Sequence, residues 1–358
     1  VAGTHGKTTT AALLAYVLYR SGLDPSFIVG GLINDLGINA KHGSGKPFVV
    51  EADEYDRMFL GLNPTVAVIT NVEYDHPDCY VTAEDMIDAF YKFTELLPNH
   101  GVLIVAEDDP VSRLIGESAQ ARGIDVITYS LTNDADWKAA RIKTNSVSGC
   151  DFEVFRGGRR AIGLVRTRLA GRHNVGNTLA VLAASEYLGI HIDETVQFVY
   201  EFSGVGRRFD VKGEINGITI VDDYAHHPTE IRATLSSARL HYPGQAIWAL
   251  FQPHTFSRTL LMLSDFAASF ADADHVLITD IFAARENDNG TVSSHDIVQL
   301  MEHPDAKYVP NLSDALQTLS VQLQPSDVLI TMGAGDIHTV ADGVLESLEK
   351  QRRIEAPA

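Results

Sequence analysis

An α/β fold built on parallel sheets is what this 358-residue sequence predicts, on three observations. Short apolar runs of strand length alternate with longer segments of helical periodicity. A glycine-rich turn at the start leads directly into one of those helices. The alternation breaks at residues 151–169, where Phe152-Glu153-Val154-Phe155, Gly157-Gly158 and the apolar run 161–165 read as a hairpin. The expected architecture is a parallel-sheet phosphate-loop domain carrying a small antiparallel sheet, followed by a second α/β domain.

Gly3-Thr4-His5-Gly6-Lys7-Thr8-Thr9 opens the chain, and Ala11, Leu13, Leu14, Tyr16, Val17 and Leu18 follow at helical spacing. The backbone N–H groups of such a turn, with the positive end of a helix over 8–20, form a cradle for phosphate. It is a variant P-loop, because the first glycine of G-x-x-x-x-G-K-S/T falls at Val1. In such loops the lysine, here Lys7, reaches the β/γ-phosphates, and the hydroxyl, here Thr8, ligates Mg²⁺. A strand should precede the loop, and at most Val1-Ala2 remain of it, with no initiator Met. A truncated chain is therefore expected.

Further strands are expected at 48–50, 66–70, 102–105 and 126–129, and helices at 83–97, 110–122 and 174–188, the last stopped by Gly189. Gly204-Val205-Gly206-Arg207-Arg208 resets the pattern and places a domain joint between 1–206 and 207–358. The second run predicts strands at 219–221, 246–251, 275–279, 307–309 and 328–331. Helices are expected between them at 229–241, 258–270, 294–301 and 312–323. The charged tail from Glu349 is expected to fray.

Lys and Arg total 28 against 47 Asp and Glu, a net charge of −19. That field argues against general nucleic-acid binding and requires local basic groups to hold any anionic substrate. Two cysteines make a disulfide framework improbable and suit a reducing cytoplasm. No apolar run reaches the roughly 18 residues of a membrane span, so membrane insertion is not expected.

Ligands of open α/β sheets bind at the carboxyl ends of strands. The strand at 48–50 ends in Glu51-Ala52-Asp53-Glu54-Tyr55-Asp56, and the next in Asn71-Val72-Glu73-Tyr74-Asp75-His76. Either could be a solvated loop by itself. Two such ends behind a Gly-Lys-Thr loop point to divalent metal beside phosphate. Asn174 and Asn177 share a helix face, which suits either an adenine edge or an N-cap with a polar turn. In the second half, Asp222-Asp223-Tyr224-Ala225-His226-His227-Pro228 opens a helix; adjacent histidines diverge, which disfavours zinc. His254 and Arg258 could hold an anionic group. Asp280-Ile281-Phe282-Ala283-Ala284-Arg285-Glu286 forms a third strand-end loop. Gly333-Ala334-Gly335-Asp336 reads equally as half a dinucleotide fingerprint or as a tight turn.

Together, Gly-Thr-His-Gly-Lys-Thr-Thr-Thr, Glu-Ala-Asp-Glu, Thr-Asn-x-x-x-Asp-His, Gly-Arg-His-Asn-x-x-Asn, Asp-Asp-Tyr-Ala-His-His-Pro-Thr-Glu-Ile and Phe-Gln-Pro-His resemble the Mur ligase family, in order and over essentially the whole chain. The resemblance implies three domains, of which the central ATP-binding domain (1–206) and the Rossmann-like amino-acid ligase domain (207–358) are expected here and the UDP-sugar domain is not. It implies a cradle of Gly3, Thr4, His5, Gly6, Lys7, Thr8 and Thr9, with Lys7 on the γ-phosphate and Thr8 on Mg²⁺. Glu51 and His76 would hold metals between ATP and a substrate carboxylate. Asn174 and Asn177 would sit by the nucleotide. Arg207 would lie at the hinge and reach ATP as the domains close, and Asp223 and His226 would face the nucleotide. His254 and Arg258 would lie near the substrate carboxylates. Thr255 departs from the pattern, since relatives often carry a basic residue there.

The implied activity is cytoplasmic, ATP- and Mg²⁺-dependent joining of L-alanine to UDP-N-acetylmuramate through an acyl phosphate, in peptidoglycan precursor synthesis. Two other readings stay open: a recycling ligase that adds a tripeptide to the same sugar nucleotide, and a nucleotide-binding chain without ligase activity. The Phe-Gln-Pro-His-x-Phe-Ser-Arg segment favours the alanine-adding branch. Without the sugar-nucleotide domain, this chain is expected to bind ATP and not to ligate.

Overall fold

The computed structural model describes residues 1–158 and 160–355. It forms two compact units, Val1–Gly206 and Arg207–Ala358.

In the first unit, α1 (Lys7–Arg20) is followed by β1 (Ser26–Ile33), β2 (Ile38–Lys41) and β3 (Phe48–Val50). A 3₁₀ turn (Tyr55–Gly61) leads to β4 (Val66–Ile69), α2 (Ala83–Glu95), β5 (Val102–Ala106), α3 (Pro110–Ala121) and β6 (Asp125–Ser130). The unit ends with β7 (Trp137–Thr144), β8 (Cys150–Arg156), β9 (Arg160–Thr167), α4 (Arg172–Tyr187) and α5 (Ile192–Glu201). A six-stranded sheet runs β4-β5-β6-β7-β8-β9, parallel from β4 to β7 and antiparallel beyond. The expected antiparallel portion is thus an extension of the parallel sheet through β7. A separate three-stranded sheet runs β2-β1-β3.

Local signals explain several boundaries. Thr82 and Asp85 close a capping box on α2, and Asp109 caps α3 with Pro110 at its first position. Every residue from Thr8 to Leu18 is buried, so α1 lies inside the unit and lacks a polar face. The chain start stitches the two sheets together. The Val1 amino group donates to Val50 O and Ala52 N to Val1 O, while Ala2 N donates to Val68 O and Thr70 N to Ala2 O. That stitch delivers the glycine turn to the carboxyl ends of β3 and β4.

The second unit comprises β10 (Asp210–Ile215), β11 (Ile218–Asp223), α6 (Pro228–His241), β12 (Ile247–Phe251), α7 (Phe256–Leu261), α8 (Leu263–Ala267) and β13 (His275–Ile278). Then come α9 (Ser294–Leu300), β14 (Ala306–Tyr308), α10 (Leu312–Gln322), β15 (Val328–Met332) and α11 (His338–Glu355). The sheet order is β10-β11-β15-β12-β13-β14, parallel except for the β10–β11 hairpin. β11, β12 and β15 are buried throughout, as strands covered on both faces must be.

Three expectations need correction. The helix expected over 258–270 is two helices, broken at Met262, whose φ of −109° and ψ of 24° leave the helical region. The tail from Glu349 does not fray up to Glu355, because Val340, Ala341, Val344 and Leu348 bury one face of α11. Strands β1, β2, β7 and β10 and helices α5 and α11 had not been expected. β1 carries the pair Gly30-Gly31, and no residue of β2 is fully buried, so neither shows the strand pattern.

Candidate active site

The glycine turn is fastened to the end of β4. Thr4 N donates to Asn71 O at 3.0 Å, Thr4 Oγ1 to Glu73 O at 2.8 Å, and Glu73 N to Thr4 Oγ1 at 2.9 Å. Asn71 grips both sides of one residue: its Oδ1 accepts from His5 N at 2.9 Å and its Nδ2 donates to His5 O at 3.1 Å. The His5 ring lies 2.8 Å from Glu73 Oε2. Gly3 has φ 128°, and a Cβ there would meet Thr70 Oγ1 at 2.1 Å. Gly6 has φ 81°, and a Cβ there would meet Asn177 Oδ1 at 2.7 Å. Both positions therefore need glycine on two counts.

Lys7 and Thr8 begin α1 at the floor of this cradle. Lys7 Nζ donates to Gly3 O at 2.7 Å, Thr4 O at 3.2 Å and Glu54 Oε1 at 2.6 Å. Burial alone would lower the Lys7 pKa, but the Glu54 carboxylate outweighs it and the net shift is upward. Burial likewise would raise Glu54, and Lys7 and His76 together bring it below its ordinary value. The pair is therefore ionised. Thr8 Oγ1 donates to Glu51 Oε1 at 2.7 Å, and Gly30 N donates to Glu51 Oε2 at 2.6 Å. His76, with φ 56°, brings Nε2 to 3.6 Å from Glu54 Oε1, and its ring packs 5.2 Å from that of Tyr55.

The structure thus gathers the cradle, Lys7, Thr8, Glu51 and His76 at one place, with Thr9 buried one position further along α1. It adds Glu54, which the sequence reading quoted within its acidic run but did not single out. A period-based reading gives no sign of which carboxylate turns inward. Left-handed Asp56 and Arg57 re-aim the chain just beyond it, and Tyr80 Oη fixes the Glu54 carbonyl at 2.6 Å. Asn177 borders the loop through Gly6 and donates to Asn174 Oδ1 at 2.9 Å. Asn174 spends its own amide on Ala170 O at 2.7 Å, so it supports Asn177 from behind.

In the second unit the named residues sit at strand ends. Asp223 closes β11 and is buried; its carboxylate accepts from Phe209 N at 2.8 Å and Ala225 N at 2.7 Å. Burial nonetheless raises its pKa to about 6. His226 Nδ1 lies 3.0 Å from Tyr224 O, and its ring packs 6.0 Å from that of His254. His227 instead caps α6, accepting from Thr229 N at 3.3 Å, so the two adjacent histidines have separate tasks. Buried Arg258 places Nη1 3.1 Å from His254 Nδ1 and donates to His254 O at 3.0 Å.

Arg207 is engaged within its own unit. Nε donates to Asp222 Oδ2 at 3.1 Å, Nη1 to Gly335 O at 3.3 Å and Nη2 to Gly333 O at 2.7 Å, and the guanidinium stacks 5.0 Å from the Tyr224 ring. The Gly333-Ala334-Gly335 turn is thereby an arginine seat. Its glycines are required by close packing, since a Cβ on Gly335 would meet Gln252 Oε1 at 2.4 Å and Phe282 at 2.7 Å.

Comparison with known proteins bears on this arrangement. Residues 1–185 match the Mur ligase middle domain, and residues 207–335 the Mur ligase, glutamate ligase domain. The chain belongs to the Mur ligase family. Among Mur ligases, it is 40% identical over 352 residues to the UDP-N-acetylmuramate–L-alanine ligase of Caldanaerobacter subterraneus subsp. tengcongensis, covering 98% of this chain and 75% of that one. The enzyme of the same name from Roseiflexus castenholzii is 42% identical over 361 residues, with 97% and 76% covered. The crystal structure of the Mur ligase UDP-N-acetylmuramate-alanine ligase from Thermotoga maritima superposes with a TM-score of 0.80 at 27% identity, over 98% of this chain and 74% of that one.

Proposed function

We propose that this Mur ligase chain binds ATP in the Gly3–Thr9 cradle and uses it to join L-alanine to UDP-N-acetylmuramate. One observation carries the reading: an ionised Lys7–Glu54 pair, the Thr8–Glu51 contact and His76 converge beside a turn that only glycine can form. Likeness to alanine-adding ligases at about 40% identity supports the choice of substrates.

The chemistry follows from charge. A carboxylate is a poor electrophile. Its oxygen attacks the γ-phosphorus, the bond to the β-phosphate oxygen breaks, and ADP leaves. The alanine amine then attacks the acyl carbon, the C–N bond forms, a proton leaves nitrogen and inorganic phosphate departs. The first step brings two anions together, so preorganised positive charge is the main requirement. Lys7, already cationic and oriented, meets it. The residues also fit a divalent ion: Glu54 Oε2 and His76 Nδ1 are buried without a hydrogen-bond partner among the described residues, beside the Thr8 hydroxyl and Glu51 carboxylate. Thr8, Glu51 and His76 would hold Mg²⁺, which supplies further charge neutralisation when bound. Asn177 would border the nucleotide with Asn174 supporting it from behind, and Arg207, Asp223 and His226 are further candidates for nucleotide contact. His254 and Arg258 would receive the alanine carboxylate, since an imidazole beside a guanidinium suits a planar anion. We place the activity in the cytoplasm; no described helix is long and apolar enough to cross a membrane.

The test is ADP release by the full-length protein with Mg²⁺, UDP-N-acetylmuramate and L-alanine, each omitted in turn, with mass spectrometry of the product. Release that needs all three, with a product heavier by one alanyl residue, is expected. Release indifferent to both acid and amine, or one that needs a tripeptide instead, overturns the reading.

A further inference from the structure

Thr255 has φ 67° and ψ 147°. That region is essentially confined to glycine, and a β-branched residue is the least suited to it. Thr255 is only 3% exposed, so solvent does not hold it there. The restraint comes from the loop after β13. Thr255 N donates to Phe282 O at 3.1 Å and Phe282 N to Pro253 O at 2.8 Å, a short parallel bridge around His254. Two residues on, Ser257 N donates to Glu286 Oε2 at 2.9 Å and the Ser257 hydroxyl donates to Glu286 Oε1. On the helix side, Thr259 Oγ1 donates to Thr255 O at 2.7 Å. The Phe282 ring also stacks on His254 at 5.8 Å and 14°.

The bend has a geometric product. His254 precedes it and Arg258 follows one turn later, yet Arg258 Nη1 reaches both the His254 carbonyl and its Nδ1. With Thr255 at an ordinary negative φ, the preceding peptide would rotate and the His254 carbonyl would leave the guanidinium. We propose that the bend at Thr255 is a positioning device: this left-handed backbone, braced by Phe282 and Glu286, locks His254 and Arg258 into one receptor for a substrate carboxylate. Backbone strain retained in a buried segment marks a conformation that its surroundings over-determine. The inference rests on the assignment of His254 and Arg258 to the alanine carboxylate.

The test uses Thr255→Gly and Glu286→Ala in the full-length protein. Glycine takes the bend without strain, so Thr255→Gly should raise Tm by about 2–5 °C with KM for L-alanine within about twofold. Glu286→Ala removes the brace and should raise KM for L-alanine about tenfold, leaving KM for ATP within about twofold. The double variant, free to relax, should raise it further. A second readout needs no substrate: the ¹⁵N resonances of the His254 ring should move in Glu286→Ala and stay in place in Thr255→Gly. An alanine KM unmoved by Glu286→Ala, or alanine and ATP constants rising together, overturns the positioning role. A wild-type enzyme indifferent to L-alanine instead overturns the substrate assignment, and the His254 resonances then decide the bend alone.

Discussion

Lys7 Nζ and Glu54 Oε1 lie 2.6 Å apart at the floor of the phosphate cradle, with the Glu54 side chain 1% exposed. The pair fixes the ammonium where a γ-phosphate is expected and holds it charged. Removing one partner of a buried ion pair leaves the other uncompensated. Lys7→Met should therefore lower stability by about 3 kcal/mol and weaken ATP binding about 100-fold or more. Calorimetric titration with ATP checks this, and an unchanged affinity would dismiss the cradle as a nucleotide site.

Glu54→Gln should act through pH. Without the carboxylate, burial weighs more heavily against the Lys7 ammonium, and its pKa falls. The alkaline limb of kcat/KM should then move to lower pH, because Lys7 loses its proton sooner. A limb that stays in place would mean that Lys7 is not the group titrating there.

Asp223 sets a stability slope of known sign. Its carboxyl titrates near 6 when folded, against 3.8 for the free side chain. Between those values the native state keeps a proton that the unfolded state has released, so stability falls as pH rises. The loss amounts to about 2 kcal/mol from pH 4 to pH 7. Asp223→Asn removes that slope. Its Tm relative to the parent should become more favourable by several degrees between pH 4.5 and pH 7.5, measured by calorimetry.

Gly6→Ala meets two obstacles, a φ of 81° and Asn177 Oδ1 at 2.7 Å from the new Cβ. A loss of about 1–3 kcal/mol is expected with weaker ATP binding. Adding Asn177→Ser should recover the steric part and leave the backbone part. Recovery to parental Tm in thermal melts would show that the backbone angle costs nothing.

Much of this was legible in the sequence where chemistry and local pattern coincide. Gly3, Gly6, Lys7 and Thr8 announce themselves, because a phosphate turn demands those residue types at that spacing. β5 is apolar throughout and β15 is apolar but for Thr331. Glu54 was hidden, since three residues separate it from β3 and only tertiary contacts choose it over Asp53. Arg207 shows the same limit: its partners Gly333 and Gly335 lie more than a hundred residues away. The break in the helix over 258–270 also escaped, because Met262 is a good helix former and carries no local stop signal.

β15 occupies the middle of the second sheet, between β11 and β12, although it is the last strand in the chain. A ribosome therefore releases both flanking strands long before the one that joins them. Until then β11 and β12 each present an unmated apolar edge, the kind of surface on which nascent chains aggregate. Sheet closure in this unit has to await β15, and its folding rate should be governed by the long-range docking of that segment.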